Sequence, residues 1–302
     1  MTVTTEVTAI VGPTAAGKSA IAAAVAPSLD AEIIAVDALT IYRGMDIGTA
    51  KPPADGGVTH HMVDLLDPSQ ECTAQWFQAR ARTAVSDVAA RGRHPLLVGG
   101  SGLYFRAVVD PLEFPPTDPE VRAEIERSHP DPTDAHRAVQ VVDPRWAERL
   151  DPSNRRRAIR ALEVHRLTGR PYSSFQAAWD RYESVYPALR VIGVDIGRDD
   201  LTARIRDRVD AMLAAGWVEE AAGLRDRVLS RTAAAAIGYA ELWEHLDGRC
   251  TLDEARERIV TRTRRYAVRQ QRWFATDPRV RWMDAASAVD LLTRDTDGER
   301  AR

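Results

Sequence analysis

Between positions 10 and 19 the chain reads Ile-Val-Gly12-Pro13-Thr14-Ala15-Ala16-Gly17-Lys18-Ser19, the spacing G-x-x-x-x-G-K-S. An apolar, β-branched run (7–11) precedes it and an alanine-rich run of helical character (19–25) follows. That is the strand, loop and helix that a phosphate-binding loop requires. Gly12 and Gly17 let backbone N–H groups turn inward around phosphate oxygens. Lys18 supplies charge for the distal phosphate, and the Ser19 hydroxyl is placed to reach a magnesium ion. Residues 12–19 are therefore the expected phosphate cradle, with Thr14, Lys18 and Ser19 its catalytic members and Ser19 its metal contact.

A chain of 302 residues with 28% charged residues and a net charge of −3 has the balance of a soluble globular protein, one large domain or one domain carrying an insertion. Its two cysteines, Cys72 and Cys250, are too far apart in sequence for zinc-ligand spacing, and they fit a reducing cytoplasm. No signal peptide and no run of eighteen apolar residues is present, so export and membrane spanning are not expected.

Residues 32–36 read as a second buried strand with Asp37 at its carboxyl end, the end that faces ligand in an open parallel sheet. Residues 41–52 lack a sustained period and read as a long ordered loop. His60 and His61 fit a short strand, where neighbours point to opposite faces and cannot share one metal ion. A helix over 73–91 leads to a third strand at 95–98, which ends in Gly99-Gly100-Ser101-Gly102. A nucleotide hydrolase commonly ends such a strand in a magnesium-holding Asp. A Gly-Gly-Ser turn there argues against hydrolysis and for admitting a second substrate.

From 113 to 187 prolines recur among short helical patterns with no strand, so a helical insertion is expected within an α/β core formed by 1–112 and 188–292. Strand character returns at 190–196 and 280–283, and 293–302 reads as an unordered tail. Two segments are strongly basic: 151–170 carries a net charge of +4, and 256–274 carries +6 with Tyr266, Trp273 and Phe274 interleaved. On a chain of net −3 this asymmetry favours a polyanionic partner.

Gly12 to Ser19, Asp37, the string Tyr42-Arg43-Gly44-Met45-Asp46-Ile47-Gly48-Thr49-Ala50-Lys51-Pro52, His60-His61, Gly99-Gly100-Ser101-Gly102-Leu103-Tyr104, Asn154-Arg155-Arg156 and Arg269-Gln270 closely resemble the tRNA dimethylallyltransferases, in order and over nearly the whole chain. The resemblance implies a phosphate-loop α/β fold. It implies transfer of a dimethylallyl group from dimethylallyl diphosphate to N6 of the adenine 3′ of the anticodon, with Mg2+, in a cytoplasmic monomer. The loop would hold diphosphate, and Asp37 would be the general base. Asp37, Ala38, Leu39, Thr40, Ser101, Arg122, Arg155, Arg269 and Gln270 would meet the anticodon stem-loop. The family's usual Ser-Met-Gln after the catalytic Asp is here Ala38-Leu39-Thr40, and its arginine before the Gly-Tyr motif is replaced within 233–236.

The chemistry agrees. An exocyclic adenine amine is a weak nucleophile, so attack on an allylic carbon needs the leaving diphosphate neutralised and the amine proton removed. The adenine must also leave its stack, which is least costly in an unpaired loop. Two other readings share the phosphate loop: an isopentenyltransferase acting on free adenine nucleotides, and a small-molecule kinase. Neither needs a polyanion-binding surface.

Overall fold

Strands buried on both faces carry apolar side chains without alternation, and the apolar runs beginning near residues 7, 32, 95 and 190 are all strands. The structure, a computed structural model, describes residues 5–52, 57–176 and 178–300. Its strands are β1 (Glu6–Val11), β2 (Ala31–Val36), β3 (His60–His61), β4 (His94–Gly99), β5 (Ala188–Val194) and β6 (Val280–Met283). Helices α1 (Lys18–Val25), α2 (Ala74–Ala90) and α3 (Gly102–Val109) are followed by α4 (Pro119–Ser128), α5 (Pro132–Val142), α6 (Pro144–Arg149) and α7 (Arg155–Thr168). Then come α8 (Arg198–Ala214), α9 (Trp217–Leu224), α10 (Arg231–Ala234), α11 (Tyr239–Leu246), α12 (Leu252–Phe274) and α13 (Ala285–Arg300). The chain forms two compact units, Met1–Val109 with Ser184–Arg302, and Asp110–Glu183.

The first unit is a six-stranded parallel sheet in the order β3-β2-β4-β1-β5-β6. Each face has its own core. Val7, Ala9 and Val11 of β1 join one cluster with Ile34, Leu97, Phe77 and Phe274, whereas Ile10 joins Leu96, Ile33 and α1 residues in the other. Full burial of a side chain such as Phe77 on one face or Leu96 on the other contributes about 1.5–3 kcal/mol, so the sheet is fixed from both sides. Register then sets the site: Val11 of β1 pairs with Gly99 of β4, and Gly99 pairs with Val36 of β2. The phosphate loop, the Gly-Gly-Ser turn and Asp37 thus leave the sheet at one level.

The expected tail is corrected over 293–300, because α13 continues through them. Ala288 and Leu292, one turn apart, are both fully buried in the second cluster, which gives that helix a core face. Residues 301–302 lie outside the described residues. The first unit lets the chain out at Val109 and receives it back at Ser184, and the Val185 N–H donates to the Val109 carbonyl at 2.8 Å.

The second unit is helical, and its prolines start helices rather than interrupt them. Asp118, Asp131 and Asp143 cap α4, α5 and α6, each followed by a proline in the first turn. A capping oxygen satisfies an orphan N–H there, and proline has none to satisfy. Its core gathers Ile125, Val139, Trp146, Leu150, Ile159 and Leu162. Glu163 is fully buried, and its carboxylate accepts from Arg122 at 2.6 Å, Arg160 at 2.7 Å, the Thr117 hydroxyl at 2.7 Å and the Asp118 N–H at 2.9 Å. Burial alone would raise its pKa, but these donors hold it below the usual carboxylate range.

Candidate active site

Gly17, at φ +98°, turns the chain from loop into α1. The N–H groups of Ala15, Gly17, Lys18 and Ser19 have no backbone acceptor among the described residues, which leaves them for an anion. The loop's carbonyls take cations instead: Lys18 Nζ donates to Pro13 O at 2.6 Å, and Arg204 Nη1 to Ala16 O at 3.4 Å. Ala15, Gly17, Lys18, Ser19, Arg204 and Arg208 line a cavity of about 230 Å³. Three basic side chains line it, and Asp37 is coupled electrostatically to Lys18 and Arg208, so the site suits a multiply charged anion.

The same crowding tunes both titrating groups. Desolvation, and then the Arg208 charge, lower Lys18 to a pKa of about 7, against a smaller opposing pull from Asp37. Desolvation raises Asp37, although the Leu39 N–H, donating to Oδ1 at 2.8 Å, and the Lys18 and Arg208 charges oppose it. A carboxylate so raised is a better proton acceptor than a solvated one. An arriving anion must draw a proton onto any Lys18 that has lost it. Diphosphate binding is therefore expected to take up about half a proton per site near pH 7, approaching one well above it and none well below it. Calorimetry in buffers of different ionisation enthalpy measures this, with Lys18→Arg, which stays charged, as the reference for protons taken by diphosphate itself. Equal uptake by wild type and Lys18→Arg would contradict the lowered pKa.

Not every expected contact is where the sequence reading puts it. Asp37, the phosphate loop and the half-buried Ser101 come together at the strand ends. Ala38 and Leu39 pack against the core, and Thr40 is 8% exposed with its hydroxyl lacking any partner among the described residues. Gln270 is buried too: it is 6% exposed, with Oε1 accepting from Thr14 N–H at 2.8 Å and Nε2 donating to Gly100 O at 2.8 Å.

The basic segments divide into neutralised and free arginines. On α12, Arg256 pairs with Asp210, Arg258 with Glu244 and Arg262 with Glu241, each at 2.5 Å. Arg264, Arg265, Arg269 and Arg272 are exposed and have no ion-pair partner among the described residues, and Arg269 lies 5.7 Å from the Tyr266 ring. In the second unit Arg122 and Arg160 serve Glu163, Arg155 donates to the His129 and Glu126 carbonyls, and Arg166 pairs with Glu124. Arg156 and Arg157 remain exposed and unpaired among the described residues.

Several participants were not read from the sequence. Arg204 and Arg208 stand one turn apart beside the Leu201, Ile205 and Val209 seam of α8, and that i, i+4 spacing was the available signal. The specific string at 42–52 proves to be a built loop. Both oxygens of Glu220 accept from the N–H groups of Asp46, Ile47 and Gly48 at 2.7–2.9 Å, and the Tyr239 hydroxyl donates to the same carboxylate at 2.7 Å. Lys51 Nζ closes the loop onto Tyr42 O at 2.6 Å and Asp64 Oδ1 at 2.5 Å. A side chain at Gly48 would put its Cβ 2.3 Å from Trp217 Nε1, so only glycine fits.

Comparison with known proteins places this geometry. The family model described as IPP transferase matches residues 40–277. The tRNA dimethylallyltransferase of Kocuria rhizophila is 49% identical over 293 residues, covering 94% of this chain and 92% of that one. That of Streptomyces coelicolor is 46% identical, covering 93% and 91%. Among solved structures, the tRNA isopentenylpyrophosphate transferase of Bacillus halodurans superposes with a TM-score of 0.68 at 36% identity, covering 98% of this chain and 99% of that one. A eukaryotic dimethylallyltransferase acting on tRNA superposes with a TM-score of 0.81 at 26% identity, covering 98% of this chain and 77% of that one.

Proposed function

Because the chain belongs to the IPP transferase family of tRNA dimethylallyltransferases, we propose that Asp37, Lys18 and the phosphate loop are the parts that perform its transfer reaction. The enzyme is a prenyltransferase that modifies tRNA. Its donor is dimethylallyl diphosphate, and its acceptor is N6 of the adenine 3′ of the anticodon. The donor's diphosphate lies against the free N–H groups of the loop, with Lys18, Arg204 and Arg208 around it. As the C1–O bond breaks and the C1–N6 bond forms, the N6 proton passes to the Asp37 carboxylate and diphosphate departs with the bonding pair. Preorganised donors aimed at the leaving charge commonly supply the largest share of such a rate enhancement.

The donor set suits Mg2+. Among the described residues no group of three or more His, Cys, Asp or Glu side chains could cage a metal. The ion would be held by the exposed Ser19 hydroxyl, diphosphate oxygens and water, as magnesium often is. When bound it neutralises charge on the leaving group.

The observation that carries the reading is the register of β2, β4 and β1, which sets a raised-pKa carboxylate level with an anion cradle. The free arginines of α12 and of the second unit give a phosphate backbone its contacts, which position without reading sequence. No described helix is long and apolar enough to cross a membrane. The test is transfer from radiolabelled dimethylallyl diphosphate, with magnesium, to unmodified tRNA and in parallel to AMP. Label is expected on tRNA. Label on AMP alone would favour a nucleotide isopentenyltransferase.

A further inference from the structure

Gln270 lies on α12, and its side chain joins two segments remote in sequence, 256 residues away at Thr14 and 170 away at Gly100. Both contacts are 2.8 Å, and the amide is buried with donor and acceptor satisfied. The chain has cleared room for it. A Cβ on Gly100 would lie 2.3 Å from Gln270 Nε2 and 3.0 Å from Gly12 O.

The Thr14 N–H and the Pro13 carbonyl belong to one planar peptide unit. Gln270 holds the N–H end and Lys18 Nζ occupies the carbonyl end at 2.6 Å. Were that plane to rotate, the carbonyl that parks the ammonium would move with it. An unheld Thr14 N–H would also be free to turn toward the anion in place of the Ala15, Gly17, Lys18 and Ser19 donors.

We propose that Gln270 is a positioning residue of the diphosphate site, acting through the Pro13–Thr14 peptide on the loop and on Lys18, and not a contact to RNA. The proposal rests on the reading that this loop holds the donor's diphosphate. It also gives α12 two roles on opposite faces: free arginines outward at 264, 265, 269 and 272, and a strut inward at 270.

The test is Gln270→Met, which keeps length and loses both hydrogen bonds. Three quantities are measured: Kd for inorganic diphosphate by calorimetry, KM for dimethylallyl diphosphate, and Kd for unmodified tRNA. Losing two buried hydrogen bonds, one to the Thr14 N–H of the loop and one to the Gly100 carbonyl, is expected to raise the first two by about tenfold, with tRNA affinity unchanged. Gly100→Ala, which displaces the amide from the other side, is expected to reproduce that split, and it stands in if Gln270→Met does not fold. Weaker tRNA binding with diphosphate affinity intact would overturn the proposal in favour of an RNA contact. Equal loss in all three, or in none, would overturn it as well. Failure of wild type to transfer label to tRNA would strike the proposed function, whereas the diphosphate Kd still decides the role of Gln270.

Discussion

Asp37→Asn is expected to lower kcat by about 10²–10⁴-fold, the usual worth of a general base, while the Kd for tRNA stays within about twofold. The amide keeps the size of the side chain and an oxygen for the Leu39 N–H, so the turn at the end of β2 is retained. What is lost is the proposed acceptor for the N6 proton. The pH profile separates the base from a merely electrostatic role. Desolvation raises Asp37, so wild-type kcat is expected to fall with falling pH along a limb that begins above the ordinary carboxylate range of about 4. The residual rate of Asp37→Asn should lack that limb. An unimpaired kcat would remove the assignment. Single-turnover transfer from pH 5 to 8, beside filter binding of tRNA, measures both.

Lys18→Met is expected to cost about 10²–10³-fold in kcat/KM for dimethylallyl diphosphate, comparable to removing one preorganised donor from an oxyanion site. Methionine keeps much of the apolar stem but leaves the leaving charge to Arg204, Arg208 and the loop N–H groups. The variant should also simplify the binding profile, because the group that titrates near 7 is gone. If the fall were confined to KM with kcat intact, Lys18 would hold the ground state and the transition state equally well. A matching fall in kcat would place its contribution at the departing diphosphate.

The parts legible in the sequence were those written within short stretches. The phosphate loop is local, and its glycines, lysine and serine carry their own geometry. Strands β1, β2, β4 and β5 were visible because each is buried on both faces and so shows an unbroken apolar run. Asp37 followed from its place at a strand end. The parts that escaped join distant segments. Arg204 meets Ala16 across 188 residues, and Glu220 meets the 46–48 backbone across 172–174. A glutamate in an ordinary helix carries no local sign that it caps a loop elsewhere. Gln270 was noticed through family resemblance, as a tRNA contact, but its bonds to Thr14 and Gly100 could not be read, because which side of α12 faces the strand ends is decided by packing. The arginine clusters were counted correctly but not sorted, since ion pairing with Asp210, Glu244 and Glu241 depends on neighbouring helices.

The contact from the Val185 N–H to the Val109 carbonyl makes the excursion between them a closed neck. For the sheet unit, everything between those positions is one long loop, and the entropy of closing a loop grows only with the logarithm of its length, about 0.6 kcal/mol per doubling. The parent fold is therefore nearly indifferent to how large its guest is. Lengthening, trimming or exchanging the guest leaves the strands, the phosphate loop and Asp37 in register. Evolution can thus refit the helical unit of such an enzyme without reopening its chemistry, and an engineer can graft at this neck for the same reason.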